Sequence, residues 1–439
     1  LEAACSEQPI SIGIIGAGPA GVMTALSLEK YLPSGAAQIT ILDRNRNATD
    51  YPGVEYGIQA GACRALERIG LLERALAGAN PATEIAFFNS RLGKRFASVK
   101  FDPKYTRSVV RQDFLADLTA LLGSTRVLRN HHIDDIRFEP DKSVMLTGKV
   151  EGQPFEERFD LIVGCDGVNS IARKKLFPDE ATIYDRGFSC IYMLLEGTTE
   201  NAPMGFMSMA NSSRSELIMG HFSTMTLFPL GKGRLALGIG FDHATKNRIW
   251  QEHKLDRLSD WKDLPASIKK SIAVYFSTDA DIYDGMLVKA LDLIPDWNSY
   301  KIYLWAMRDS DALERPWRED GNAVLLGDSA HAIMPTIGMG ASLAIEDAEA
   351  LARLIADFVQ TCTEIDNFRQ EVARTVFEPF TTSRHPIWVD LIYRARRAAI
   401  SNFIDVGNRK RFAIGPQIPG KALSRLLMGI EWIAEQVGI

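Results

Sequence analysis

Over the first part of the chain, apolar residues fall into short runs separated by turns that carry glycine and acidic residues. Positions 10–15 read as a buried strand, 16–21 as a glycine-rich turn, 22–32 as a helix, and 38–42 as a second strand that stops at an acid, Asp43. That succession predicts a βαβ unit. Between 111 and 122 the apolar positions 114, 115, 118, 121 and 122 have helical spacing, and 160–163 predicts a strand running into Gly164-Cys165-Asp166-Gly167. From about 187 to 242 the pattern changes to several short β-type runs, 216–219 and 234–239 among them, with a turn at Leu230-Gly231-Lys232-Gly233. An antiparallel sheet inserted into a parallel one would give this order. A further strand at 323–326 precedes a helix at 341–358, whose apolar positions 341, 344, 348, 351, 354, 355 and 358 form one stripe, and the rest of the chain reads as helices. The expected fold class is therefore α/β with an α+β insertion.

Composition narrows the function classes. With 439 residues, 46% of them hydrophobic, the chain can bury a large core, and the absence of repeats or long linkers suggests domains that exchange segments. A formal net charge of −5 argues against a general nucleic-acid binder. Cys5, Cys63, Cys165, Cys190 and Cys362 are odd in number and widely spaced, which reads as free thiols and no metal site. No apolar run reaches the roughly 18 residues of a membrane span, so the expected location is cytoplasmic. The opening Leu-Glu-Ala-Ala is not a natural translation start, which leaves a preceding targeting segment open.

Gly16-Ala17-Gly18-Pro19-Ala20-Gly21 fits GxGxxG, and Asp43 follows at about the 20-residue distance at which a carboxylate meets a ribose hydroxyl. The helix after the turn offers N–H groups to phosphate. NAD and FAD share the adenosine diphosphate, so this motif does not separate them. Further on, Gly327-Asp328-Ser329-Ala330-His331 closes a strand, and Pro335 and Gly338-Met339-Gly340 precede the long helix. A carboxylate at a strand end suits a polyol hydroxyl, and a helix start behind glycines suits a flat ring held against backbone.

Together these motifs resemble the p-hydroxybenzoate hydroxylase family of FAD-dependent monooxygenases. GxGxxG at 16–21, Asp166-Gly167 with Asn169, Ser170 and Arg173, and Gly327-Asp328 with His331 and Pro335 stand in the family's order, and Arg111 with Leu115 matches its Arg-x-x-x-Leu helix. The resemblance implies a non-covalent FAD whose pyrophosphate lies by Gly16, Gly18 and Gly21, whose ribose meets Asp43 with Arg44 nearby, and whose phosphate or ribityl region is reached by Arg111. Asp328 would bind the ribityl chain, and Asp166 would support the pyrophosphate side and the approach of nicotinamide. Pro335, Gly338, Gly340 and Ala341 would face the isoalloxazine. Met339 and Ala341-Ser342 depart from the residues usual in that loop, and 53–58 holds Glu55 and Tyr56 where the family lines the cofactor with small residues.

The implied domains are an FAD-binding domain at 8–75, 100–185 and 305–365, a substrate domain at 76–99 and 186–304, and a helical region at 366–439. The implied reaction uses NADPH or NADH and O2 to hydroxylate or epoxidise a small aromatic or indolic substrate through a flavin C4a-hydroperoxide. The oligomeric state stays open. His221 and Tyr192 are candidates for a proton relay, while His331 reads as structural. Met204, Met207, Met209, Met219 and Met225 read as core filling rather than pocket. The basic group Arg394, Arg396, Arg397, Arg409, Lys410 and Arg411 reads as a solvated helical face, and the stripe Leu423, Leu426, Leu427, Ile430, Ile433 and Val437 as a docking face. Rival readings are a flavin-dependent halogenase, whose Trp-x-Trp-x-Ile-Pro signature is missing here, an FAD-linked reductase or dehydrogenase, and a non-catalytic nucleotide sensor.

Overall fold

The computed structural model describes residues 9–47, 53–90, 92–220, 223–256, 261–279, 282–298, 302–362 and 364–403. Five strands form one sheet in the order Ala323–Leu325, Leu161–Gly164, Ile10–Ile15, Ala37–Leu42, Arg126–Leu128, every neighbouring pair parallel. Ile12, Ile14, Leu161, Val163 and Val324 are fully buried, as expected for strands covered on both faces. The helix Pro19–Tyr31 starts three residues earlier than the apolar spacing predicts, because Pro19 is preorganised for the first helical turn. It packs along the helix Gly340–Thr361, so both helix starts come to the same end of the sheet.

The second sheet has seven strands in the order Ile302–Asp309, Tyr184–Glu196, Arg234–Asp242, Thr224–Gly231, Arg214–Met219, Glu84–Asn89, Lys94–Lys100. All pairs are antiparallel except Arg214–Met219 with Glu84–Asn89. The strand Ile302–Asp309 runs across residue 305, where the sequence suggests a change of domain. One face of this sheet is covered by the helices His243–Glu252 and Ala266–Asp279, which bring Trp250 and Phe276 onto Phe241 and Ile239 in a second core.

Two smaller sheets complete the body. His131–Phe138, Val144–Val150 and Gln153–Phe159 form an antiparallel meander, and Glu55–Ile58, Arg107–Val110 and Asn80–Pro81 a short sheet centred on Arg107–Val110. Helices Ile365–Val372 and Glu378–Phe403 follow. The stripe from Leu423 and the cations Arg409, Lys410 and Arg411 lie outside the described residues, as does Cys5; Cys63, Cys165, Cys190 and Cys362 are free thiols. Among the described residues no helix is long and apolar enough to cross a membrane, and no cluster of three or more His, Cys, Asp or Glu side chains is placed to hold a metal.

Candidate active site

The fingerprint turn is set by backbone contact. A Cβ on Gly21 would lie 1.9 Å from the Gly16 carbonyl oxygen, so only glycine lets the helix close on the turn. Gly21 is thus a packing residue and does not line the cavity, whereas Gly16, Gly18, Pro19 and Ala20 do. Gly18 shows the opposite situation. A Cβ built on it would meet nothing within 4 Å, so the space beyond its backbone is open to a group that approaches the main chain closely. Asp43, almost fully buried, accepts from the Ala17 amide at 2.6 Å and the Asn45 amide at 2.7 Å, which ties the end of the second strand to the turn. Arg44 next to it is exposed and lines the same cavity.

That cavity encloses about 1240 Å3 and runs from the fingerprint turn to the Pro335–Ile337 turn and the start of the helix Gly340–Thr361. Single small-molecule sites take roughly 300–1,000 Å3, so there is room here for an extended dinucleotide and a further small molecule. Asp328, Pro335, Gly338, Met339, Gly340 and Ala341 all line it. Burial raises the Asp328 carboxyl above its ordinary range, with His331 and Arg111 opposing that rise. Arg111 begins the helix Arg111–Ala120; its amide donates to the Val54 carbonyl and its guanidinium lies 5.2 Å from the centre of the Tyr56 ring.

Asp166 lines the cavity but is also held by the fold. Its carboxylate accepts from the Ser170 hydroxyl, from the Ile171 amide at 2.6 Å and from the Ala172 amide at 3.1 Å, capping the helix Ile171–Leu176. Arg173 in the same motif is a buried strut. It donates to the Glu180 carbonyl at 2.8 Å, the Ser310 hydroxyl at 2.9 Å and the Ala330 carbonyl at 3.1 Å, joining the two C-terminal motifs. Arg173→Met is expected to leave these acceptors unmet at a cost of about 2–3 kcal/mol, read as a lower Tm. A melting curve equal to wild type would contradict this role.

His331 is likewise structural. Its Nε2 lies 2.8 Å from Asp347 Oδ2, its ring stacks on Trp388 with centroids 4.5 Å apart, and it does not line the cavity. Tyr192 lines the cavity from the strand next to the edge of the large sheet, stacked on Tyr303 of the edge strand at 6.0 Å, and burial pushes its hydroxyl well above the usual range. His221 lies outside the described residues. None of Met204, Met207, Met209, Met219 and Met225 lines the cavity; Met225 is in the second core and Met204 is exposed. Arg396 binds Asp309 and Asp311, while Arg394 and Arg397 reach the cavity wall. The sequence pattern singles out neither Tyr303 nor Glu55 as a site residue; for Glu55 the signal is an acid in a stretch where the resemblance leads one to expect small residues, and Tyr303 carries no such signal.

A family model described as an FAD binding domain matches residues 10–235 and 294–374. The chain belongs to this family. Among curated relatives, the FAD-dependent monooxygenase pigN of Monascus ruber is 26% identical over 368 residues, covering 79% of this chain and 76% of its own. The phenazine 1,6-dicarboxylic acid hydroxylase PhzS of Lysobacter antibioticus is 26% identical over 388 residues, covering 81% and 85%. The Klebsiella pneumoniae HpxO structure complexed with FAD and uric acid shares the fold at a TM-score of 0.71 and 17% identity, covering 96% of this chain and 95% of that one. As an FAD-dependent monooxygenase, the protein is an oxidoreductase with FAD as its cofactor. The readings as sensor, halogenase or simple reductase are not favoured.

Proposed function

We propose that this monooxygenase holds FAD non-covalently along the cavity and uses NADH or NADPH and O2 to hydroxylate or epoxidise a small aromatic or indolic compound. The observation that carries this reading is a single continuous cavity joining the fingerprint turn, the Asp328 loop and the inner face of the large sheet. Gly16, Gly18, Asp43, Arg44 and Arg111 would hold the adenosine diphosphate, Asp328 the ribityl chain, and Pro335, Gly338, Gly340 and Ala341 the ring. Asp166 would shape the pyrophosphate side through the helix that it caps. FAD, when bound, supplies hydride storage and dioxygen activation, which no side chain provides.

The remaining work falls to the protein. The amides at the start of the helix Gly340–Thr361 have no partner within their own helix and suit negative charge on a ring placed against them. Ile85, Phe87, Val99, Phe101, Leu217 and Phe228 give the opposite wall an apolar surface that fits an aromatic body and excludes water. Arg308, Arg394, Arg397 and Lys174 on the same cavity suit the phosphates of a visiting nicotinamide dinucleotide.

The test is NADH and NADPH oxidation in air with a panel of aromatic, indolic and isoprenoid compounds. One compound class should accelerate oxidation and gain one oxygen atom; no acceleration by any aromatic or indolic compound would count against this substrate class. Asp328→Ala is expected to weaken FAD retention by about 10- to 100-fold, as for loss of a charge-assisted hydrogen bond, measured by ultrafiltration of released flavin. Retention equal to wild type would remove Asp328 from the ribityl site.

A further inference from the structure

Among the described residues two carboxylates line the cavity without an FAD-binding role, Asp390, which pairs with Arg394 at 2.7 Å, and Glu55. Glu55 begins the short strand Glu55–Ile58 and lines the cavity, and among the described residues its side chain has neither a hydrogen bond nor an ion pair. Its surroundings come from three elements. Tyr56 and Arg111 line the same cavity from its own sheet and the adjoining helix, Tyr192 from the strand next to the edge of the large sheet, and Tyr303 from the edge strand, while Cys190, two residues before Tyr192, feels the Glu55 charge. Burial raises the hydroxyls of all three tyrosines and the Glu55 charge adds to that rise; the carboxylate and the stacked Tyr192–Tyr303 pair line one cavity. Arg111 is directed at the Tyr56 ring, and it is burial that pushes the Glu55 carboxyl up to about 7.

An unpaired acid in an otherwise aromatic and apolar corner costs stability unless a ligand completes it. We infer that Glu55 is the substrate-recognising acceptor of this enzyme, taking the O–H of a phenol or the N–H of an indole and drawing the phenolic proton as the ring is oxygenated. In that step the O–H bond breaks, its electron pair stays on the ring oxygen, and the proton moves to a Glu55 oxygen. When the hydroxylated ring regains aromaticity, the proton returns to the ring oxygen and the proton on the attacked carbon leaves to solvent, so Glu55 ends ionised. The electrons and the oxygen atom come from NAD(P)H and O2 of the monooxygenase reaction. The inference rests on the cavity being the substrate site as proposed above.

The test compares binding of naphthol and of its methyl ether, which lacks the donor, to FAD-loaded wild type and Glu55→Gln by calorimetry at pH 6 and pH 8. Ionised Glu55 is expected to favour naphthol over the ether by about tenfold or more at the higher pH, with a smaller preference at the lower one. Glu55→Gln should lose both the excess preference and its pH dependence. No preference in wild type, or the same pH-dependent preference in the variant, would overturn the inference. Bound flavin and its reduction by NAD(P)H are measured on the same samples: if these fail in wild type, the monooxygenase reading fails, whereas intact flavin with unchanged naphthol selectivity removes Glu55 alone.

Thermal stability gives a second readout. The folded-state value of Glu55 lies above its ordinary 4.5, so the folded protein holds the proton longer than the unfolded chain. Stability is then lost as pH rises from about 4.5 to about 7 and stays level above, and Glu55→Gln should gain Tm relative to wild type at pH 8 but not at pH 4. Glu346, also raised to about 7 by burial, adds a slope of the same sign to both proteins, so the difference between them isolates Glu55. An identical Tm difference at both pH values would contradict the assignment.

Discussion

Gly21→Ala is expected to give a poorly folded protein without bound flavin, whereas Gly18→Ala should fold normally and still lose FAD. The two glycines are three residues apart but fail for different physical reasons. At Gly21 the new Cβ would be 1.9 Å from the Gly16 carbonyl oxygen, a backbone atom that cannot move without pulling the turn away from Cys165, so the cost lies at or above the upper end of ordinary overpacking, about 3 kcal/mol or more. At Gly18 the new Cβ meets only open space, so the apo protein should melt within about 1 kcal/mol of wild type. The methyl group would occupy the space that the cofactor's phosphates need against the backbone. Thermal melts with and without added FAD, combined with flavin content after gel filtration, separate the cases. Full flavin content in Gly18→Ala would mean that the pyrophosphate lies elsewhere.

The second large effect lies outside the cavity. Asp347→Ala is expected to cost about 3–5 kcal/mol, because it removes the carboxylate that joins Arg384, Trp388 and His331 and leaves a buried cation short of charge. Asp347 Oδ1 accepts from Arg384 Nε at 2.5 Å, and Oδ2 accepts from Trp388 Nε1 at 2.9 Å and lies 2.8 Å from His331 Nε2. Burial opposes the charge on Asp347, but Arg384 and His331 outweigh it and hold the carboxyl below its usual value. The stability from this pairing is therefore complete above the ordinary carboxylate range and is lost as pH falls below about 4. Since His331 ends the short helix Asp328–His331, the same cluster fixes the loop that carries Asp328 and Pro335. Urea unfolding should show a lower midpoint with an unchanged slope, and Asp347→Asn should lose less than alanine. A loss under about 1 kcal/mol would mean that Glu346, 3.6 Å from Arg384, takes over the charge.

The parts of this fold that were legible from the chain are those whose neighbours in space are also neighbours in sequence. The first strand, its glycine turn, the helix and Asp43 form one local unit, and apolar runs such as Ile12, Ile14, Ile39 and Ile41 stand out because both faces of the parallel sheet are covered. The helix Gly340–Thr361 was legible for the same reason, its buried stripe being long and regular. The meander at 131–159 was not: in His131–Phe138 no residue is fully buried, so alternation carries little contrast. Helix His243–Glu252 was missed because it buries only Thr245, Ile249 and Trp250 within a largely polar segment. The pairing of Glu84–Asn89 with Arg214–Met219 spans about 130 residues and leaves no local trace, although the resemblance grouped the two stretches.

The candidate site divides in a similar way. Asp43 and Asp328 were found from their motifs. That Asp166 caps a helix and that Gly21 packs rather than lines the cavity follow only from hydrogen bonds and approach distances. Glu55 and Tyr303 lie about 250 residues apart and line one cavity because the small sheet packs on the large one, through Val54 against Leu194 and Ala236.

The most direct test of the central claim is a single turnover of purified, FAD-loaded protein: reduction by NAD(P)H without air, then addition of isotopically labelled O2 in the presence of the compound that most accelerates oxidation. A monooxygenase with this cavity is predicted to place one labelled oxygen atom in the product and the other in water. Recovery of all the label as hydrogen peroxide, with the aromatic compound unchanged, would contradict it.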